Sequence, residues 1–110
     1  MQLKPLILRF KRIIGEVSLP TILSITAIHS TSSFLGLKWL GEEAITANVP
    51  EFIYWYLVSC STVGYGDLSP SSEFGKLFTV LFILPIGLSL FAMLLGKAAN
   101  LFIEGRNKLM

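Results

Sequence analysis

The sequence predicts an all-α membrane protein in which two transmembrane helices flank a re-entrant half-helix and loop. Three observations carry that expectation. The 110 residues are 53% hydrophobic and 15% charged, where soluble domains carry about 25% charge. Val17 to Leu37 holds no formal charge if His29 is neutral, and Leu77 to Gly96 holds none. Each run is about 20 residues, the length a helix needs to cross roughly 30 Å of hydrocarbon. The third observation is a shorter uncharged run from Phe52 to Gly66, which is too short to span and reads as re-entrant. A soluble chain of this size lacks the volume to hide two such stretches. The first run also exceeds a signal peptide's apolar core and lacks a small-residue cleavage site.

Charge sets the orientation. Seven of the nine basic residues (Lys4, Arg9, Lys11, Arg12, Lys97, Arg106 and Lys108) flank the two spans on one side, which the positive-inside rule makes cytoplasmic. Between the spans lie Glu42, Glu43, Glu51, Asp67 and Glu73, with Lys38 and Lys76 at the edges. The expected location is therefore the cell membrane, multi-pass, with both termini in the cytoplasm.

In chain order, residues 1–13 form a cytoplasmic or interfacial segment with Leu3, Leu6, Ile7 and Phe10 at helical spacing, which reads either as an interfacial helix or as a frayed start to the first span. Residues 14–37 form the outer transmembrane helix, rich in hydroxyls that bond back to carbonyls one turn earlier. Pro20 sits in its first turns, and His29 reads as a neutral imidazole packed on a neighbouring helix or near the outer interface, with an intramembrane proton sensor as the competing reading. Residues 38–49 are an outer loop opened by the interfacial Trp39. Pro50 and Glu51 start a half-membrane helix over 50–61, whose Phe52, Tyr54, Trp55 and Tyr56 suit a buried collar. Residues 62–67 form a loop, 68–73 a turn, 74–104 the inner transmembrane helix and 105–110 a cytoplasmic tail. Cys60, the one cysteine, reads as a buried inert thiol.

Thr62-Val63-Gly64-Tyr65-Gly66 holds the chemistry. A cation shed of its water needs oxygen ligands equal to that shell, and backbone carbonyls supply them without a fixed charge that would trap the ion. Consecutive carbonyls facing one axis require unusual angles at alternate residues, which glycine reaches freely; hence Gly64 and Gly66. Val63 and Tyr65 turn their side chains away from the axis. The half-helix before the loop aims its C-terminal carbonyls inward, giving a negative potential there. One chain cannot enclose an axis, so the reading requires a four-fold ring of copies.

With Asp67 appended, these six residues resemble the filter signature of the potassium-channel pore family without departure, and the likeness covers nearly the whole chain. The sequence is most similar to two-helix prokaryotic channels gated by a cytoplasmic regulator-of-potassium-conductance domain; Ser69-Pro70-Ser71 and Phe78-Thr79-Val80 fit that group. The resemblance implies a homotetramer in the lipid bilayer that conducts K+ passively. It implies K+ coordination by the carbonyls of Thr62, Val63, Gly64 and Tyr65, with the Thr62 hydroxyl at the innermost site. It also implies a filter brace from Tyr54 or Trp55 to Asp67. Val58 departs from one branch, which carries a glutamate there paired with the filter aspartate.

Family inner helices bend at a glycine near position 86; here Pro85 and Gly87 flank Ile86 and are the expected gating bend, with Gly96 as a second. Below it, Leu94, Leu95, Ala98, Leu101 and Phe102 are candidates for an apolar constriction. The resemblance implies a cytoplasmic regulatory domain or subunit following residue 110; that domain is absent from these residues. The acidic residues between the spans read either as a cation-concentrating mouth or, for Glu42 and Glu43, as a solvated loop. A poorly selective cation channel is disfavoured by the intact Gly64-Tyr65-Gly66. A transporter subunit is disfavoured by the single loop, and a poreless regulatory subunit by the complete filter. No nucleophile–base pair, metal-ligand cluster or phosphate loop supports an enzyme.

Overall fold

The computed structural model describes residues 3–109; residues 1, 2 and 110 of the expected terminal segments lie outside them, as do the side chains of Phe10, Ile14, Glu16, Asn107, Lys108 and Leu109. Every regular element among the described residues is helical: α1 (Lys4–Glu16), α2 (Leu19–Trp39), α3 (Val49–Cys60), α4 (Glu73–Phe78), a π turn (Thr79–Ile83) and α5 (Leu84–Leu109). The first helix is separate from the second. Val17 is extended and Ser18 caps α2, its hydroxyl accepting the Thr21 N–H. The outer helix therefore starts at Leu19 rather than at residue 14. Pro20 falls in its first turn, where no backbone donor is required.

Hydroxyls along α2 close on their own helix. Ser24 donates to the Pro20 carbonyl at 2.8 Å, Thr26 to Ile22 at 2.8 Å and Ser33 to His29 at 2.7 Å. α2 ends in a Schellman turn, with the Gly41 N–H on the Lys38 carbonyl at 3.1 Å and the Glu42 N–H on Leu37 at 3.0 Å. That turn needs a left-handed residue, and Gly41 has φ +84°.

The turn delivers Glu42 to the start of the inner helix. Its Oε2 accepts the Ser71 N–H at 2.8 Å and the Ser71 hydroxyl at 3.3 Å. Its Oε1 accepts the Ser72 N–H at 2.8 Å and the Ser72 hydroxyl at 2.6 Å. Ser72 in turn caps α4 through the Gly75 N–H at 2.9 Å. Glu42 is only 3% exposed, which corrects both readings made of it from sequence. It belongs neither to an open acidic mouth nor to a solvated loop; it ties the outer helix to the inner one. The partner serines lie 29 and 30 residues away in sequence, beyond any local pattern.

The core lies in this upper half. Leu37, Ile45, Phe52, Trp55, Tyr56, Cys60 and Ile83 are buried together, with Phe34, Leu68, Phe78 and Phe82 packed against them. Phe34 meets Phe52 edge-on at 5.2 Å, and Phe78 stacks on Phe82 at 5.1 Å. On the inner helix the buried residues are Gly75, Thr79, Ile83, Gly87 and Leu90. The outer surface stays apolar: Phe74, Leu81 and Phe102 are each more than 70% exposed, which is what lipid or further subunits would cover. By length and composition, Glu73–Arg106 is the one helix among the described residues long and apolar enough to cross a membrane. The hydroxyls and His29 make α2 less apolar.

Burial alone would raise the Glu42 carboxyl; hydrogen bonds from Ser72 and Ser71 outweigh it and hold the group below its ordinary value of 4.5. A carboxyl lowered on folding adds stability that is fully present above the unfolded value and is lost as pH falls through the folded one. Thermal unfolding in detergent, followed by circular dichroism, should weaken as pH drops below 4.5. Glu42→Gln should lose roughly 2–3 kcal/mol at neutral pH and show a flatter acid dependence. Equal melting of the two proteins at pH 7 would mean the clamp is idle.

Candidate cation-coordinating loop

α3 sets the loop. Asn48 caps it, Oδ1 accepting the Glu51 N–H at 2.8 Å, with Pro50 in the first turn and Glu51 near the positive helix end. Asn48 was missed in the sequence reading, although Asn48-x-x-Glu51 resembles a capping box. The helix closes with the Ser61 N–H on Leu57 at 3.0 Å and the Thr62 N–H on Ser59 at 3.2 Å. One more bond leaves the loop itself, from the Gly64 N–H to the Val58 carbonyl at 3.1 Å. Val58 thus meets the loop through its backbone, while its side chain is half-buried.

From there the backbone alternates. Thr62, Gly64 and Gly66 have φ of +68°, +59° and +82°, and no positive φ occurs at Val63 or Tyr65 between them. Glycine adopts this region at no steric cost. For a β-branched threonine it is an outlier costing on the order of 1–3 kcal/mol. Sequence reasoning anticipated the glycines but not strain at Thr62, because threonine has no intrinsic preference for a left-handed backbone. Alternating handedness is the conformation that brings carbonyls of successive residues to one side. Such a row suits a dehydrated alkali cation. No group of three or more His, Cys, Asp or Glu side chains that could hold a metal occurs among the described residues.

All of Thr62 to Asp67 is exposed in the single chain, with Val63 at 54% and Tyr65 at 70%. Tyr54 stands beside the Asp67 carboxylate, whereas Trp55 packs in the core, with the Phe52 ring at 6.2 Å. Behind the loop runs a groove lined by Trp55, Val58, Ser59 and Leu68 and floored by Thr79 and Leu84 of the inner helix. Pro85 and Gly87 are not part of the loop. Pro85 is exposed just after the π turn, and Gly87 is buried against Cys60.

Residues 20–104 match the ion-channel family, well over half of the chain. The chain belongs to the ion-channel family. Its match runs from the first turn of α2 to the last turns of α5, so loop, groove and core all fall inside it. The family is one of membrane channels rather than enzymes. This ion-channel chain is 27% identical over 95 residues to a voltage-gated potassium channel of Aeropyrum pernix, covering 86% of this chain and 30% of that one. It is 40% identical over 69 residues to the potassium channel AKT2/3 of Arabidopsis thaliana, covering 63% and 8%. It is 42% identical over 52 residues to potassium channel protein 1 of Methanocaldococcus jannaschii, covering 47% and 15%. The chain spans less than a third of the length of these relatives. No solved structure matches it.

A β-carbon at Gly64 or Gly66 would meet no atom within 4 Å, so alanine there tests backbone conformation alone. Gly64→Ala and Gly66→Ala should each lower stability by about 1–2 kcal/mol, measured by thermal unfolding in detergent. Wild-type melting in both would show that the left-handed angles are not enforced.

Proposed function

We propose that this protein is the pore-forming subunit of a potassium-selective channel, a homotetramer of the cell membrane that conducts K+ passively. The observation that carries this reading is the alternation of positive φ at Thr62, Gly64 and Gly66 within Thr-Val-Gly-Tyr-Gly. In this reading the carbonyls of Thr62, Val63, Gly64 and Tyr65 replace the water of a permeating K+, and the Thr62 hydroxyl closes the inner end. Gly66 permits the last turn of the row. Tyr54 and Asp67 brace the outer end, with Trp55 and Val58 packed behind. Four α3 C-termini, each a negative dipole end, converge below the row.

The tetramer is supported by what one chain leaves open. Val63 and Tyr65 point no carbonyl inward unless their side chains lie outward, and those side chains are uncovered here. Neighbouring copies would cover them. α2 is the proposed second span, made compatible with lipid by hydroxyls that bond within the helix. Basic residues at both ends of the chain favour cytoplasmic termini. The relatives' names favour potassium as the ion. Pro85 and Gly87 are the proposed gating bend, and a cytoplasmic regulatory domain or subunit pulling on α5 is the proposed partner.

Purified protein in lipid vesicles should carry a potassium flux that barium blocks. In planar bilayers with potassium on one side and sodium on the other, the reversal potential should follow the potassium gradient. Equal permeability to the two ions would replace this reading with a poorly selective cation channel.

A further inference from the structure

The break in the inner helix leaves backbone carbonyls without donors. At the π turn the Leu84 N–H reaches back five residues to the Thr79 carbonyl. A five-residue bond passes over the Val80 carbonyl that a regular turn would use, and Pro85 has no N–H to offer, so the carbonyls around this turn outnumber the backbone donors. In a low-dielectric interior an unmade hydrogen bond of this kind is costly.

His29 reaches one of them. The ring is buried, its Nε2 lying 3.2 Å from the Phe82 carbonyl and its Nδ1 2.7 Å from the Tyr56 hydroxyl. A carbonyl only accepts, so Nε2 holds the proton, and in the neutral ring Nδ1 accepts from Tyr56. Aromatic contacts fix the ring, to Phe82 at 4.9 Å and Tyr56 at 5.7 Å between centroids. Gly87 closes the other side: a β-carbon there would collide with Cys60 Sγ and lie 3.5 Å from His29 Cε1. Tyr56 stands on the helix that launches the Thr62–Asp67 loop. Below the break no residue from Phe91 to Arg106 is buried within the single chain.

We propose that His29 and Tyr56 form a strut that fixes the broken turn of the inner helix against the pore helix, making both positioning residues for opening and closing of the conduction path. The proposal rests on the channel reading above. Through the strut, the point about which the lower helix would swing is tied to the scaffold of the loop.

The test uses the full chain in planar bilayers with potassium on both sides, together with the infrared band of a ¹³C-labelled Phe82 carbonyl. His29→Leu should shift the ratio of open to closed time by about tenfold, the factor that a net hydrogen bond near the upper end of the usual range carries. Tyr56→Phe, which deletes only an oxygen and so keeps the packing, should shift it in the same direction. The double variant should go no further than His29→Leu. His29→Gln, whose amide can donate to Phe82 and accept from Tyr56, should restore the wild-type ratio. The Phe82 band should rise in frequency in His29→Leu and stay in place in His29→Gln. An unmoved ratio, additive effects, or a glutamine as damaging as leucine would overturn the gating role. An unmoved band in His29→Leu would overturn the strut itself. A wild type without potassium flux would sink the channel reading and the gating role with it, while the band would still decide whether the contact exists.

Discussion

Carbonyls of successive residues in an extended chain point to opposite sides, so a row aimed one way requires a backbone that alternates in handedness. Thr62, Gly64 and Gly66 meet that constraint, and the threonine does so at a steric cost. The loop has no core of its own, since every residue from Thr62 to Asp67 is exposed in the single chain. What holds it must therefore come from behind. Two hydrogen bonds do this within the chain, the Gly64 N–H on Val58 and the Thr62 N–H on Ser59, and Tyr54 stands beside Asp67. All three partners lie on α3, so the loop is as well placed as that helix is.

α3 is held in turn by the helices around it, through apolar packing in the middle and polar contacts at two depths. Apolar packing alone is permissive about how helices slide, because one aliphatic contact replaces another at little cost. Polar contacts are not, since a displaced carboxylate or imidazole leaves buried groups unpaired. Glu42 sets the height of the inner helix at its outer end, with both oxygens on Ser71 and Ser72. His29 sets it about three turns further in, joining α2, Tyr56 of α3 and the Phe82 carbonyl. No buried side-chain polar atom among the described residues lacks a hydrogen-bond partner, as expected where water cannot substitute.

The helical class, the half-length α3 and the loop were legible because they are written locally. Uncharged runs, Pro50 before Glu51, and glycines at alternate positions each report on their own few residues. The contacts that Glu42 and His29 make were not legible. Their partners are 29 and 53 residues away, and only the close packing of three helices brings them together. A glutamate in a loop with neighbouring Glu43 reads as solvated until the turn at Gly41 is seen to aim it inward. The boundary between α1 and α2 was misplaced for a different reason. The uncharged run begins at Val17, but an extended Val17 and the Ser18 cap, rather than the charge pattern, decide where the helix starts.

Pro85 shows how a local rule can be right and still incomplete. A proline predicts a disturbed helix, but the disturbance lies before it, at Thr79–Ile83. The buried residues Gly75, Thr79, Ile83 and Gly87 follow at intervals of four. In a regular α-helix each such step drifts about 40° around the axis, which would carry Gly87 off the face that Gly75 presents. A turn closed by a five-residue bond is wider and takes up part of that drift, so one face stays against α2 and α3. Gly87 can then meet Cys60 closely enough that no side chain fits between them. The cost of the wide turn is surplus carbonyls, and a proline that cannot donate adds to it. A side chain from another helix has to offset that deficit, and His29 is placed to do so because the turn brings Phe82 to it.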